Sequence, residues 1–413
     1  MHLLLVTYEF PPFMATGGIG SYMYHLAHIM AAKGHHVTVF SATQSHKEVT
    51  VLRENEYTNY LIPAADTVVF RKEVLKLFES YIQSHPVDVI ESPEVGACAL
   101  PIKEAYPFLP LVVKMHTPGV LITKISNTYQ SVFTKLRYVA GAFLRGRFDL
   151  GYWSKTDLNK ESNPEYRICQ LADHLLSPSA ALKVWAVRYW QLPEQKIKIL
   201  PNPISADEQL FSFPISNRSK TICFIGKLTV LKGMMALTPA IKEILLRHPD
   251  YKMIIAGRDE ALNDAVPSMK ALMLHQLEAV KDRVLFTGAL EKEKVLEILS
   301  QSRVCIVPSL WENYPNVVLE AMAAGCTVAA AHRGGIPELI DDGKTGLLFD
   351  PLKPSSIVKA IDQLLNDEPK RLQLAAAARE TVYNHQHSTK LANDLDAFYR
   401  SVQKPEPVIS ELF

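Results

Sequence analysis

One pattern constrains this chain more than any other. A short aliphatic or β-branched segment, a glycine-bearing loop and a helix-length stretch recur from the N-terminus, and the series starts afresh at Thr221. Two strands that run parallel need a crossover of a dozen or more residues between them, usually a helix, so the spacing predicts parallel sheets with helices on both faces. In the first series residues 2–8 read as a buried strand. Gly17-Gly18-Ile19-Gly20 follows, then a helix with Ile19, Met23, Leu26, Ala27 and Met30 on one face that stops at Gly34, and a second strand over 35–41. Further strands are expected at 87–90, 111–115 and 174–177. The dinucleotide fingerprint G-x-G-x-x-G with an acidic residue closing the second strand is not met, since that strand ends Phe-Ser-Ala-Thr, and a nicotinamide dehydrogenase is disfavoured.

The second series runs 221–225 into Gly226-Lys227 and Lys232-Gly233, 252–256 into Gly257, 284–286 into Gly288, 304–307 into Pro308, and 327–331 into Gly334-Gly335-Ile336-Pro337-Glu338. Leu200-Pro201-Asn202-Pro203 reads as the restrained linker between the series, which predicts one domain over 1–200 and another over 204–387. The last segment, 388–413, carries Leu391, Leu395, Phe398, Tyr399 and Val402 at helical spacing and is expected to pack back on the first domain. Its Asp394-Leu-Asp396 resembles a metal-binding triplet, but residues two apart diverge on a helix, so it reads as surface charge.

Within the second series, 304–325 reads as strand, loop and helix. Pro315 suits a first helical turn, Val318, Leu319 and Met322 recur at helical spacing, and Gly325 ends the run. Glu312 falls on the loop and Glu320 on the helix, leaning back towards its positive N-terminal end. Free helix N–H groups suit phosphate and carboxylates suit sugar hydroxyls, so the stretch suits an anionic, hydroxyl-rich ligand, with a solvated surface pair as the alternative reading.

A net charge of +1 argues against nucleic acid as partner. The five cysteines, at 98, 169, 223, 305 and 326, show no C-x-x-C pairing and fit a reducing compartment. The N-terminal residues lack a basic region ahead of an apolar run, and no stretch of about 18 uninterrupted apolar residues occurs, so the chain reads as cytoplasmic. Residues 124–155 interleave Lys135, Arg137, Arg145, Arg147 and Lys155 with Phe133, Leu136, Phe143, Phe148 and Trp153. They read either as a basic amphipathic segment on the inner face of an anionic membrane or as a solvated covering helix.

Taken together, these stretches resemble the GT4 family of retaining glycosyltransferases. The resemblance covers most of the chain and is strongest over 221–350. It rests on the E-x7-E pair Glu312 and Glu320, the Gly-x-Leu…Lys-Gly loop at 226–233, Pro-Asn-Pro at 201–203, Gly-Gly-Ile-Pro-Glu at 334–338, the Gly17-Gly18 loop and His116. It implies the GT-B fold, an α/β arrangement of two Rossmann-like domains facing each other across a cleft. It also implies transfer of a sugar from a nucleotide-diphosphate donor to a sugar, lipid or small-molecule hydroxyl, with no cofactor and no metal. Lys227 and Lys232 would neutralise the diphosphate, Glu320 would bind ribose hydroxyls, and Glu312 with the amides of Asn313 and Tyr314 would hold the sugar. Gly226, Asn316 and Val317 would line the donor site, with the base held by backbone near Ala289 and Leu290. His116 and Gly17-Gly18 would close the site from the other domain.

The chain departs from the family pattern at two places. Lys227 stands where the family usually has Arg, giving a point charge in place of a bidentate fork. After Gly257 the family's second glycine is replaced by Arg258, which predicts looser backbone approach at that loop. A sugar phosphorylase or nucleotide-sugar epimerase of the same fold is an alternative, and a two-lobed sugar-binding protein is one from another class. UDP, GDP and ADP donors all remain open, as does the acceptor.

Overall fold

The computed structural model describes residues 1–14, 17–128, 136, 139–141, 143, 162–203, 207–261, 268–387 and 389–403. Strands β1 (His2–Thr7), β2 (His36–Thr43), β3 (Thr50–Arg53), β4 (Thr58–Pro63), β5 (Val89–Pro93), β6 (Leu111–Lys114), β7 (His174–Ser177) and β8 (Ile197–Ile199) make one sheet in the order β3-β4-β2-β1-β5-β6-β7-β8. Strands β9 (Ser219–Ile225), β10 (Lys252–Ala256), β11 (Val284–Gly288), β12 (Ser302–Val307), β13 (Thr327–Ala331) and β14 (Leu347–Phe349) make a second, in the order β11-β10-β9-β12-β13-β14. Neighbouring strands run parallel except β3 and β4. That antiparallel hairpin is absent from the sequence-based strand assignment. Its outer strand alternates half-buried and exposed residues, so it lacks the continuous apolar run that marks a doubly covered strand such as β1, which is buried throughout.

The chain divides into two compact units. The first draws on Met1–Val120, Ser154–Pro203 and Thr389–Phe413, the second on Leu121–Trp153 and Ile204–Ser388. In the first, Leu3 and Leu5 of β1 and Val37 and Val39 of β2 pack with Met23, Leu26, Ala27 and Met30 of the Gly18–Ala32 helix. Leu395, Phe398, Tyr399 and Val402 of the Lys390–Val402 helix complete that core. His35 Nε2 meets Asp396 Oδ1 at 2.7 Å, and Arg400 Nε donates to the same oxygen at 2.8 Å. Asp396 is therefore an anchor for this helix and not simply surface charge. In the second unit, β9, β10, β12 and β13 are enclosed by Met234–Arg247, Asn316–Ala323 and Pro354–Asn366, which bury Leu237, Ile241, Met322, Ile357 and Ile361.

Local chemistry sets the helix starts. Asp66 accepts from Val68 and Val69 N–H, both at 2.8 Å, and so caps Thr67–Tyr81. Most of the basic segment 124–155 lies outside the described residues. Among the described residues no helix is long and apolar enough to cross a membrane.

Candidate functional site

The order of the second sheet places the site. From β9 the chain moves outward through β10 to β11, then returns to the other side of β9 for β12, β13 and β14. The direction reverses between β9 and β12, and open parallel sheets bind ligands beyond the carboxyl ends of their strands at such a reversal. Two loops meet there, Gly226–Gly233 after β9 and Pro308–Pro315 after β12, stitched by Leu310 N–H donating to Leu231 O at 2.8 Å. Lys232 Nζ donates across the junction to Glu312 Oε1. Ser309 Oγ–H donates to the same oxygen at 2.9 Å. One carboxylate oxygen thus carries both internal partners. Glu312 keeps 15% of its side-chain surface and Lys232 28%, so the pair is partly accessible. From the β13 side, Gly335 N–H donates to Glu312 O at 2.7 Å and fixes the backbone under it.

The helix Asn316–Ala323 begins at this junction. Pro315 is its N-cap and no side chain caps it, so first-turn N–H groups, those of Asn316 and Val317 among them, point outward for an anion. Its far end is held by cations: Arg218 Nη2 donates to Ala324 O, and Arg379 Nη2 donates to the same oxygen at 2.7 Å. Guanidinium groups at a helix C-terminus complement its dipole. Glu320 is half-buried on this helix. Burial pushes its carboxyl above the ordinary value, and the charge of Lys292 opposes that rise. Lys292 follows Ala289 and Leu290 beyond β11, so that segment and Glu320 share an electrostatic neighbourhood. Tyr314 is pushed up to about 12, chiefly by burial and further by Glu338, and keeps its phenolic proton at neutral pH. Asn313 is buried, with Trp311 Nε1 donating to its Oδ1 at 2.6 Å. Lys227 is exposed at the head of its loop.

The loop after Gly257 corrects the expectation of looser approach. Gly257 has φ +153°, and a Cβ there would lie 1.8 Å from Gly226 O. Its N–H donates to Gly288 O at 2.8 Å, while Gly226 N–H donates to Ala256 O at 2.9 Å. The tight backbone contact of this loop is therefore between Gly257 and Gly226.

The first unit has a reversal of its own, between β1 and β5. Gly17 is the N-cap of the Gly18–Ala32 helix, and Glu9 Oε2 lies 2.8 Å from where a Cβ on Gly17 would sit. His116 follows β6. Its backbone N–H donates to Glu94 Oε1 at 2.7 Å, and its ring Nδ1 lies 3.3 Å from Glu94 Oε2 and 3.1 Å from Lys114 O. The Tyr22 and His116 rings meet in a T-shaped arrangement, with centroids 5.9 Å apart.

Gly226, Lys227, Lys232, Glu312, Asn313, Tyr314, Asn316, Val317 and Glu320 all belong to the two loops and the helix at the second unit's reversal. Ala289 and Leu290 lie two strands outward, and Gly17, Gly18 and His116 belong to the first unit. Sequence reasoning missed Ser309, Lys292 and Glu94. Ser309 stands three residues before Glu312 in the same loop, a proximity that could have raised it. Glu94 and His116 are separated by 22 residues and meet only because β5 and β6 are neighbours. Among the described residues no group of three or more His, Cys, Asp or Glu side chains is placed to hold a metal ion.

Two family descriptions together match residues 16–381 of this chain: Glycosyltransferase Family 4 over residues 16–208 and Glycosyl transferases group 1 over residues 205–381. The chain is similar to D-inositol 3-phosphate glycosyltransferase of Corynebacterium diphtheriae, 33% identical over 40% of this chain and 39% of that protein. The aligned stretch therefore spans less than half the length of that relative. In fold it is similar to sucrose-phosphate synthase of Thermosynechococcus elongatus, with TM-score 0.74, 19% identity, and 97% and 98% of the two chains covered. It is similar also to HepE of Anabaena, solved in complex with UDP-glucose, with TM-score 0.67, 17% identity, and 97% and 100% covered.

Proposed function

Because the chain belongs to the group 1, GT4-type glycosyltransferase family and has the GT-B fold, we propose that it moves a sugar from a nucleoside diphosphate to a hydroxyl acceptor, with retention at the anomeric carbon and without a metal. The observation that carries this reading is the Lys232–Glu312 pair at the reversal of the second sheet. With no donor bound, each neutralises the other. A donor diphosphate gives Lys232 a more highly charged partner and leaves Glu312, still held by Ser309, to accept hydrogen bonds from sugar hydroxyls. Lys227 and the uncapped amides of Asn316 and Val317 add positive potential around the departing diphosphate, where negative charge grows as the glycosidic bond breaks. Glu320, further along the helix, takes the ribose hydroxyls. Its raised proton affinity suits a buried carboxyl whose partners come with the ligand. Ala289, Leu290 and Gly226 supply backbone for the base and phosphates. We assign Gly17, Gly18 and His116, at the reversal of the first sheet, to substrate binding.

Attack from the face the diphosphate leaves, with that diphosphate taking the acceptor proton, needs no carboxylate nucleophile at the anomeric carbon. The relative that acts on an inositol phosphate and the neighbour solved with UDP-glucose support a UDP-sugar donor and a polyol-type acceptor as the first pair to try.

The test is turnover with UDP-, GDP- and ADP-sugars, measuring free nucleoside diphosphate released per acceptor glycosylated. Lys232→Ala should lower kcat/KM by at least about a hundredfold, or roughly 3 kcal/mol of transition-state stabilisation, and EDTA should leave the rate unchanged. Full activity in Lys232→Ala, or release of a sugar phosphate in place of the nucleoside diphosphate, would overturn the reading.

A further inference from the structure

We infer that Glu94 is the positioning residue that holds His116 as a hydrogen-bond acceptor, with the ring proton on Nδ1 and Nε2 kept for a substrate hydroxyl. The inference rests on the assignment of His116 to the substrate site made above, and adds to it a residue and a proton.

The argument is one of donors and acceptors. Nδ1 faces two groups, Glu94 Oε2 at 3.3 Å and Lys114 O at 3.1 Å. A carboxylate and a carbonyl only accept, so Nδ1 must carry the hydrogen. In the neutral ring Nε2 is then bare, a lone pair able to receive an O–H. Among the described residues Nε2 is buried without a hydrogen-bonding partner, and buried polar atoms left in that state are uncommon enough to need an explanation. The explanation offered is a partner that arrives with substrate.

Glu94 is built for one orientation. It is fully buried directly after β5, the strand beside the reversal of the first sheet. Its two oxygens divide the work: Oε1 accepts the backbone N–H of His116 at 2.7 Å and Oε2 faces the ring. Its own N–H donates to Lys114 O at 3.4 Å, so that carbonyl ties Glu94 to the strand that delivers His116. A histidine whose tautomer is set by the group hydrogen-bonded to its other ring nitrogen is a recurrent device.

An isosteric change separates positioning from packing. In Glu94→Gln only one oxygen remains, and the backbone N–H of His116 claims it. The amide NH2 then faces Nδ1 as a donor, only Lys114 O still accepts there, and the tautomer balance shifts towards Nε2–H. Ring 15N shifts of His116 in the intact ligand-free protein should show Nδ1–H in the wild type and a clear rise in the Nε2–H share in Glu94→Gln, with the melting temperature unchanged. With donor and acceptor present, Glu94→Gln should lower kcat by about ten- to a hundredfold at nearly constant donor KM. Glu94→Asp, which keeps two acceptor oxygens, should recover part of that loss. A wild-type proton on Nε2, or a Glu94→Gln variant with wild-type kcat despite the shifted tautomer balance, would overturn the inference. The premise fails separately: if His116→Ala is fully active while the 15N shifts are as expected, His116 lies outside the chemistry although Glu94 still orders it.

Discussion

Single residues carry the sharpest expectations. Glu312 and Glu320 are both acids at one helix entry, yet their surroundings differ. Glu312 is held by Lys232 and Ser309, whereas burial governs Glu320. Glu320→Gln should therefore weaken the bare nucleoside diphosphate and the donor alike and appear mainly in KM. Glu312→Gln should reduce kcat and leave calorimetric affinity for the bare nucleotide nearly intact. Opposite outcomes would exchange the two roles. A second expectation concerns Glu91 on β5, fully buried, whose carboxyl is raised from 4.5 to about 8 by burial, with Lys114 opposing. A carboxyl raised in the folded state contributes stability that is present below about pH 4.5 and is lost as pH climbs through about 8. Glu91→Gln removes that descending limb. Its melting temperature should gain on the wild type between pH 5 and 8, and a wild type that gained instead would show a carboxylate well satisfied by Lys114. At this scale the sequence was informative where chemistry and spacing coincide, as in Glu312 and Glu320. It was silent where partners come from different strands, as with Glu94 and His116, because sheet order is not written in the spacing of residues along one chain.

At the scale of elements, each strand's carboxyl end feeds a loop whose geometry is shared with its neighbours. Gly226, Gly257 and Gly288 close β9, β10 and β11, linked through two backbone hydrogen bonds at Gly257 N–H and Gly226 N–H. The strand, loop, helix alternation made the elements themselves legible, since apolar runs and glycine stops recur at crossover spacing. The mutual support of the loops was not, because a glycine needed for a neighbour's carbonyl looks in sequence like any turn glycine. Gly257→Ala tests that support. A methyl carbon 1.8 Å from Gly226 O must displace the first residue of the Gly226–Gly233 loop, so the second unit should lose more than about 3 kcal/mol. That corresponds to a fall in melting temperature of about 6–12 °C for a unit of this size. Donor KM should rise in parallel. A variant with wild-type melting and KM would show that the three loops move independently.

Among the described residues each unit has buried apolar packing of its own, and the residues proposed for the nucleotide belong to the second. A nucleoside diphosphate that binds only the folded second unit raises that unit's melting point. At a hundred times Kd the gain is about 2.7 kcal/mol. Calorimetry should resolve a transition that moves with nucleotide from one that does not, and the Lys390–Val402 helix assigns the static one. Truncation after His387 strips Leu395, Phe398, Tyr399 and Val402 from the first core and should lower that transition alone. A single transition shifted by both changes would mean that the units melt as one. The amphipathic spacing of this helix is plain in the sequence, but its anchor, the contact of His35 with Asp396, joins residues at opposite ends of the chain. This closure has a mechanical consequence. Tension applied through β1 and the Lys390–Val402 helix enters and leaves by the same body, so the load passes through their shared interface and the second unit hangs slack as an unloaded loop. Until that interface ruptures, the second unit should keep any nucleotide bound to it under tension applied through β1 and that helix.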